Sequence, residues 1–260
     1  MILLQIAKYT HMPKPFVVFG ALFTIYAAFI LFKTIREGYF NGIFSQIINL
    51  FHEYYKAFLI FVLCMVFIVY FIDLPITRQC ISWYNIDVYT ILDFINSMGE
   101  GWFVISVLFT LSLIYDFLGK SNSVVVLKIS YVAAAYAGIF NAVLKFIFNR
   151  QRPSIGLEPT NFFYFFISGD KRLIDLMYAY NSMPSGHTIT VFAAIVPIIL
   201  YNKSSLMKFL LLFYAISVAI ARIYTINHWF SDICVSGVLG IIIGLAIYRT
   251  NSYRIKANAI

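Results

Sequence analysis

The feature that most constrains this chain is a series of long apolar segments that hold few charged residues. A helix that crosses a bilayer needs about 20 mainly apolar residues, and seven segments come close to that length. Because hydrocarbon offers the backbone no hydrogen-bond partner, each crossing segment should be helical. We therefore predict an all-α fold, a polytopic bundle of membrane helices. The seven segments cover residues 16–33, 54–72, 101–118, 124–148, 187–201, 206–224 and 230–248.

The charge content of the chain is typical of a membrane protein and argues against a soluble globular domain and a nucleic-acid-binding protein. Charged residues make up 12% of the sequence, about half the share found in a soluble globular domain. The formal net charge is +8, but Lys and Arg stand singly at the ends of apolar segments, as in membrane proteins, and form no basic domain. We expect a lipid bilayer as partner and no nucleic acid. The three cysteines show no disulfide or metal-site spacing, and we interpret them as packing residues: Cys64, Cys80 and Cys234.

The chain is predicted to consist of one membrane domain with a segment on either side. The membrane domain covers residues 54–250, and a cytoplasmic tail covers 251–260. Residues 1–53 hold the first hydrophobic segment, which either crosses the membrane or lies in its interface. The stretch 40–55 is amphipathic, which is typical of a helix lying in the interface.

Loop charges predict the orientation of the bundle. Lys and Arg concentrate in short cytoplasmic loops, and here the basic loop residues alternate onto one side, which we assign to the cytoplasm. The segment 73–100 falls on the other side and holds four acidic residues against one basic residue, Arg78. The basic residues are Lys120, Lys203, Lys208, Arg249, Arg254 and Lys256.

Polar residues that could carry chemistry fall in three clusters. Ionisable residues at membrane depth are costly and are functional candidates by default. Each of them alone is more often an anchor or a packed polar side chain. The predicted helices, however, bring six ionisable residues to the same external face, which favours one shared site. The clusters are Lys145 with Arg152-Pro153, Pro184-Ser185-Gly186-His187, and Arg222 with His228 and Asp232.

These residue types suit a phosphate site. Lys145 and Arg152 are seven residues apart, about two helical turns, so we expect both to point from one helix face at the same anion. A helix that begins after Ser185 leaves backbone N–H groups unpaired, and its dipole favours an anion. On a helix, Asp232 reaches the imidazole of His228 four residues earlier. The carboxylate would fix one ring nitrogen and leave the other free to attack.

The complete pattern resembles the three-part signature of the type 2 phosphatidic-acid phosphatase superfamily. That superfamily also includes bacterial lipid phosphatases, glucose-6-phosphatase and the soluble vanadium haloperoxidases. The resemblance implies a six-helix phosphatase core, to which the first hydrophobic segment is additional. The third motif often begins Ser-Arg, whereas Ala221 stands here, so one hydroxyl is missing beside the site. The motifs are Lys145-x6-Arg152-Pro153, Pro184-Ser185-Gly186-His187 and Arg222-x5-His228-x3-Asp232.

The resemblance also implies a role for each matching residue. His228 would be the nucleophile and become a phosphohistidine, Asp232 would orient it, and His187 would protonate the leaving oxygen. No cofactor is implied. The sequence holds no compact carboxylate cluster fit for Mg²⁺, so we expect no metal site and metal-independent activity. The phosphate-binding residues would be Lys145, Arg152, Ser185, Gly186 and Arg222.

Three functional hypotheses remain open at this point. The first is a lipid phosphatase of the bacterial inner membrane whose active site faces the periplasm; it would act on undecaprenyl pyrophosphate, phosphatidylglycerol phosphate, phosphatidate or lipid A. The second is a lipid phosphotransferase that uses the same site with a lipid acceptor. The third is a non-enzymatic membrane protein that binds anionic lipid, which would need no His–Asp pair. The sequence leaves the substrate and the oligomeric state open.

Residues outside the motifs are given lesser roles. Arg150 matches no motif position and is interpreted as support for the site at most. The aromatic block 162–166 is typical of a membrane-interface belt, and Lys171 and Arg172 are interpreted as solvated charges. Specificity is expected to reside in the segments 73–100 and 154–183.

Overall fold

The regular secondary structure of the described part of the molecule is entirely helical. The computed structural model describes residues 28–169 and 176–257, and every regular element within them is a helix, with no strand. This confirms the predicted all-α class. Residues 16–27, which form most of the first apolar segment, lie outside the described residues, as do Lys171 and Arg172.

The helices are labelled α1 to α10 in chain order, after a helical stretch at residues 28–36. Six of the predicted apolar segments each fall on one helix: α2, α5, α6, α8, α9 and α10. The bounds are α1 Ile43–Glu53, α2 Tyr55–Phe71, α3 Asp73–Ser82, α4 Ile86–Met98, α5 Gly101–Phe117, α6 Ser121–Phe148, α7 Tyr164–Ser168, α8 Gly186–Tyr201, α9 Ser205–Tyr224 and α10 Phe230–Ala257.

Several of these helices are suited to crossing a membrane. Among the described residues, α6, α9 and α10 are each long and apolar enough by themselves. The number rises to five if two bent pairs each count as one span: α1 with α2, which meet at 82°, and α4 with α5, which meet at 58°. Helix α8 is apolar but 16 residues long, as the short fifth segment predicted. The sharp bend between α1 and α2 is compatible with α1 lying in the interface.

The centre of the bundle is built around α8. This helix packs closely against α6 and α10, and its inward face holds fully buried Ile189 and Ala193. Gly240 and Gly244 of α10 face the backbone of α8, where an added Cβ would lie 2.7 Å from the carbonyl oxygen of Ile189 or of Ala193. Because these positions have no side chain, the two helices approach each other at backbone distance. That close packing brings the amino-terminal ends of α8 and α10 together.

The described parts of the two segments that flank the predicted membrane domain pack into the same core. Ile30 and Ile43 are each 1% exposed and belong to the hydrophobic cluster that contains the α6, α8 and α10 residues. Helix α10 continues past residue 250, and Asn251 Nδ2 donates to the carbonyl of Tyr39 at 3.1 Å. Residues on both sides of the expected boundaries at 53 and 250 are therefore packed together.

Substitution of Gly240 by Ala should destabilise the protein, because the new Cβ would lie 2.7 Å from the Ile189 oxygen and 2.8 Å from Phe192 Cβ. Overpacking of this kind costs about 1–3 kcal/mol. The matched control is Gly138→Ala in α6, where an added Cβ meets nothing within 4 Å and Ala is favoured over Gly by about 0.5–1 kcal/mol. Thermal unfolding in detergent measures both. Equal midpoints for the two variants would contradict the proposed packing.

Candidate active site

The sequence suggested that the two cations of the first motif, Lys145 and Arg152, share one helix face. The structure shows that they do not. Helix α6 ends at Phe148, and Asn149 adopts the left-handed conformation with φ 39°, which Asn tolerates at a helix end. Arg152 therefore lies in the following loop. The two cations nevertheless meet: Lys145 Nζ donates to the carbonyl of Asn181 at 2.9 Å and Arg152 Nη2 to the same oxygen at 3.3 Å.

Arg152 is held on three sides by the backbone. Its Nε donates to the carbonyl of Tyr178 at 2.8 Å and its Nη1 to the carbonyl of Asn227 at 3.1 Å. The Tyr178 ring lies over the guanidinium, 4.2 Å from centroid to Cζ, in a cation–π contact. These contacts orient the guanidinium beside His228, the residue that follows Asn227.

The second motif forms the amino-terminal end of α8. Ser185 is the N-cap residue but makes no side-chain capping bond, so first-turn N–H groups are left for another acceptor. The Ser185 backbone N–H itself donates to Ser236 Oγ at 2.6 Å, which ties this end of α8 to α10. An added Cβ at Gly186 would lie 3.2 Å from Asn141 Nδ2. The helix start is thus a narrow site with a positive dipole end.

His187 has a carboxylate partner that sequence reasoning did not assign to the site. Its Nε2 lies 3.1 Å from Oε1 of Glu100, at the corner between α4 and α5. The side chains of His187 and Glu100 are 17% and 30% exposed. The site is therefore accessible on this side, whereas the third motif is buried.

The third motif is a tight turn between α9 and α10. Arg222 lies in the last turn of α9 in a buried position, and its Nε has no hydrogen-bond partner among the described residues. Ile226 takes φ 57°, a strained value for a β-branched residue, and the backbone N–H of His228 donates to the Arg222 carbonyl at 3.2 Å. The turn therefore holds His228, 1% exposed, directly beside Arg222.

Asp232 lies next to His228, but the two residues do not share a helix, since α10 begins at Phe230. His228 Nδ1 is 3.6 Å from Asp232 Oδ2, longer than a hydrogen bond. The same oxygen accepts from Ser182 Oγ at 2.5 Å and from the Trp229 backbone N–H at 2.9 Å. The bond from the Trp229 N–H resembles half of a capping box, in which the side chain of the third helical residue, here Asp232, accepts from the backbone N–H of the residue before the helix, here Trp229.

The three motifs converge on the imidazole of His228. Burial lowers its pKa well below the ordinary value; the neighbouring Asp232 carboxylate opposes the shift, and the positive charges of Arg152, Arg222 and Lys145 add to it. The ring is therefore neutral near pH 7, the form in which a nitrogen lone pair is available for attack. All eight residues expected from the sequence lie at this end of the bundle.

A family model matches the part of the chain that holds the three motifs. The model of the PAP2 superfamily matches residues 125–256, half of the chain. This chain belongs to the PAP2 superfamily. With its long apolar helices it is a multi-pass membrane protein. No curated protein matches the sequence closely enough to count as a relative.

Two solved structures resemble this PAP2 protein. The first transmembrane PAP2-type phosphatidylglycerolphosphate phosphatase from Bacillus subtilis is 18% identical, with a TM-score of 0.54 over 76% of this chain and 95% of that chain. LpxE from Aquifex aeolicus is 20% identical, with a TM-score of 0.48 over 68% of this chain and 94% of that chain. The likeness to the Bacillus protein indicates that the two share a fold.

In this PAP2 protein, Arg150 has a larger role than the sequence indicated. Its side chain is 0% exposed and bridges two carboxylates: Nη1 lies 2.5 Å from Asp232 Oδ1 and Nη2 lies 2.6 Å from Asp73 Oδ2. Ser231 joins the same network, since its Oγ donates to Asp73 at 2.5 Å. The Phe162 ring covers the guanidinium at 4.5 Å, so at least this member of the aromatic block packs on the network.

No local motif signals this network, because Asp73 and Asp232 lie 77 and 82 residues away from Arg150 in the sequence. Asp73 is the first residue after the α2 segment and Arg150 follows α6, so the topology does bring both to the external end of the bundle. The one feature of the sequence that could have drawn attention to Arg150 is its position two residues before the motif residue Arg152.

Among the described residues, no group of three or more His, Cys, Asp or Glu side chains is arranged to hold a metal ion.

Arg150→Met should destabilise the protein strongly, because Asp73 and Asp232 would be left buried without a counter-charge. Removing one partner of a buried ion pair costs about 3–5 kcal/mol. The matched control is Arg249→Met, which breaks a surface pair with Glu53 that is 37% and 46% exposed and should leave the unfolding midpoint unchanged. Thermal unfolding in detergent measures both. A stable Arg150→Met variant would show that the network does not hold the site together.

Proposed function

We propose that this chain is an integral-membrane lipid phosphatase that works through a phosphohistidine. The observation that carries the proposal is the convergence of three cations, Lys145, Arg152 and Arg222, on a buried neutral His228 beside Asp232. Phosphoryl transfer depends mainly on positioning and on charge stabilisation of the equatorial oxygens. A cradle of fixed cations around an imidazole supplies both.

The geometry supports a two-step reaction. Nδ1 of His228 faces Asp232, so Nε2 is the nitrogen that attacks phosphorus. As the P–N bond forms, the P–O bond to the lipid breaks, and His187 gives its proton to the leaving oxygen. Water then attacks the phosphohistidine, His187 takes a proton from that water, and the P–N bond breaks to release inorganic phosphate. Asp232 stabilises the positive charge that develops on His228 in the first step.

The remaining motif residues are assigned to the phosphoryl oxygens. The guanidinium groups of Arg152 and Arg222 and the ammonium group of Lys145 would each contact one or more oxygens. The hydroxyl of Ser185 and the backbone N–H of Gly186 would add donors at the start of α8, where an uncapped helix end favours an anion. Nε of Arg222, which lacks a partner in the described residues, is available for this contact.

The substrate class follows from the position of the site at the ends of membrane helices. A lipid whose tails lie in the bilayer would present its phosphate at this level. Candidate substrates are undecaprenyl pyrophosphate, phosphatidylglycerol phosphate, phosphatidate and lipid A. Because the Bacillus protein with the same fold is a phosphatidylglycerolphosphate phosphatase, that lipid is a good first choice for testing. We further propose that the enzyme belongs to a bacterial inner membrane, and its loop charges support an orientation with this face toward the periplasm.

The proposal predicts that purified protein releases inorganic phosphate from at least one of these four lipids and that His228→Ala abolishes the release. Folding should survive the substitution, which gel filtration in detergent verifies. The matched control is His52→Ala, an exposed histidine outside the motifs, which should keep wild-type activity. Wild-type protein that is inactive on all four lipids would refute the proposal.

The same assay separates the two alternatives. Labelled phosphate that appears in a second lipid rather than in solution would indicate a phosphotransferase, since a phosphohistidine can pass its phosphoryl group to either acceptor. Lipid binding without turnover, unchanged in His228→Ala, would indicate a non-enzymatic lipid-binding protein.

We also predict that turnover persists in the presence of EDTA. The physical reason is that Lys145, Arg152 and Arg222 supply the positive charge that Mg²⁺ supplies in other phosphoryl-transfer sites. Phosphate release is measured before and after dialysis against the chelator, with Mg²⁺ added back. Loss of activity that Mg²⁺ restores would contradict metal-independent catalysis.

A further inference from the structure

The corner between α4 and α5 packs on α9 and on His187 through three successive residues, Met98, Gly99 and Glu100. Tyr214 OH of α9 donates to the carbonyl of Met98 at 2.6 Å. An added Cβ at Gly99 would lie 3.2 Å from the Cβ and Cδ2 atoms of His187 and 2.6 Å from Val218 of α9. Glu100 then reaches Nε2 of His187 at 3.1 Å. The backbone of the corner thus packs on one side of the imidazole, and its carboxylate holds the ring nitrogen.

We propose that Glu100 is a positioning residue for the reaction: it holds His187 by Nε2 and raises the proton affinity of its imidazole, so that Nδ1 delivers a proton to the leaving oxygen. The inference rests on the proposed phosphatase activity and adds to it a residue that lies outside all three motifs.

The charges that act on the His187 ring make such a partner necessary. Burial of the ring disfavours its charged form, and Arg222 from α9 and Lys145 from α6 add positive charge near it, so all three favour the neutral imidazole. Glu100 opposes these effects, since its carboxylate lies 3.1 Å from Nε2 and favours the protonated ring. Without its carboxylate, burial and the cations that bind the phosphate would disfavour still further the protonated ring that the leaving group needs.

The contact also fixes which nitrogen exchanges protons. Because Nε2–H is held by the Glu100 carboxylate, Nδ1 is the ring nitrogen that gives up its proton as the P–O bond breaks. The ring is then neutral, with Nε2–H still bound to Glu100 and a lone pair on Nδ1. That lone pair takes a proton from the attacking water in the second step, which returns the imidazole to its starting form.

The role has a consequence that a purely structural residue would not have. A lipid alkoxide is a poor leaving group and depends on the proton, whereas p-nitrophenolate leaves readily without one. Loss of a proton donor therefore slows the cleavage of an alkyl phosphate strongly and that of an aryl phosphate hardly at all. General-acid catalysis contributes about 10²–10⁴-fold where it is needed.

The test is Glu100→Gln, which keeps the size of the side chain and removes its charge, assayed on phosphatidate and on p-nitrophenyl phosphate. We expect kcat to fall about 10²-fold on phosphatidate and less than about threefold on the aryl phosphate. The alkaline limb of the kcat/KM profile on phosphatidate should move to lower pH, because the imidazole loses its proton sooner. The matched control is Asp116→Asn, an exposed carboxylate at the opposite end of α5, which should change neither rate.

A double mutant ties the effect to His187. In a His187→Ala background, Glu100→Gln should cause no further loss on phosphatidate, since the two residues act as one unit. If Glu100→Gln is not recovered folded, Glu100→Asp, with the carboxylate one methylene shorter, should give an intermediate ratio of the two rates. Equal losses on both substrates, or additive losses in the double mutant, would overturn the role of Glu100 while leaving the phosphatase activity intact. Wild-type protein inactive on both substrates, and on the lipid panel, would overturn the proposed function and this inference with it.

Discussion

The buried guanidinium of Arg150 is the contact on which the geometry of the site depends. It binds Asp73 and Asp232 with its two terminal nitrogens and the carbonyl of Pro159 with its Nε. A fully buried charge is tolerated only when it is paired and hydrogen-bonded on every side. One side chain therefore fixes the relative positions of the start of α3, the loop after α6 and the start of α10, which come from three distant parts of the sequence.

The orientation of His228 follows from that network. Oδ1 of Asp232 is bound to Arg150, and Oδ2 is shared between Ser182 and the Trp229 backbone, so the carboxylate cannot rotate. Its remaining direction faces Nδ1 of His228. The nucleophile is thus oriented by a carboxylate that is itself held in place, and the strained turn at Ile226 supplies the backbone position.

How far the sequence predicted this structure depends on how local each signal is. Hydropathy predicted six helices because a long apolar run has few other solutions in a bilayer. The motif residues were found because each motif is short, but the prediction that Lys145 and Arg152 share a helix face was wrong: Asn149 ends α6 between them. The partners of Arg150 and His187 were missed because they come from segments some 80 residues away, which only tertiary packing brings near.

The two histidines illustrate what those distant partners add. His228 and His187 lie close to the same cations, which favour the neutral form of both. The Asp232 carboxylate is largely occupied by Arg150, Ser182 and Trp229 and lies 3.6 Å from His228, so that ring stays neutral and nucleophilic. Glu100 instead faces His187 directly at 3.1 Å, which raises the proton affinity of that ring. Two titratable groups whose surroundings give them different proton affinities are the usual basis for separating base or nucleophile from acid. Here the separation depends on how fully each carboxylate is already hydrogen-bonded elsewhere.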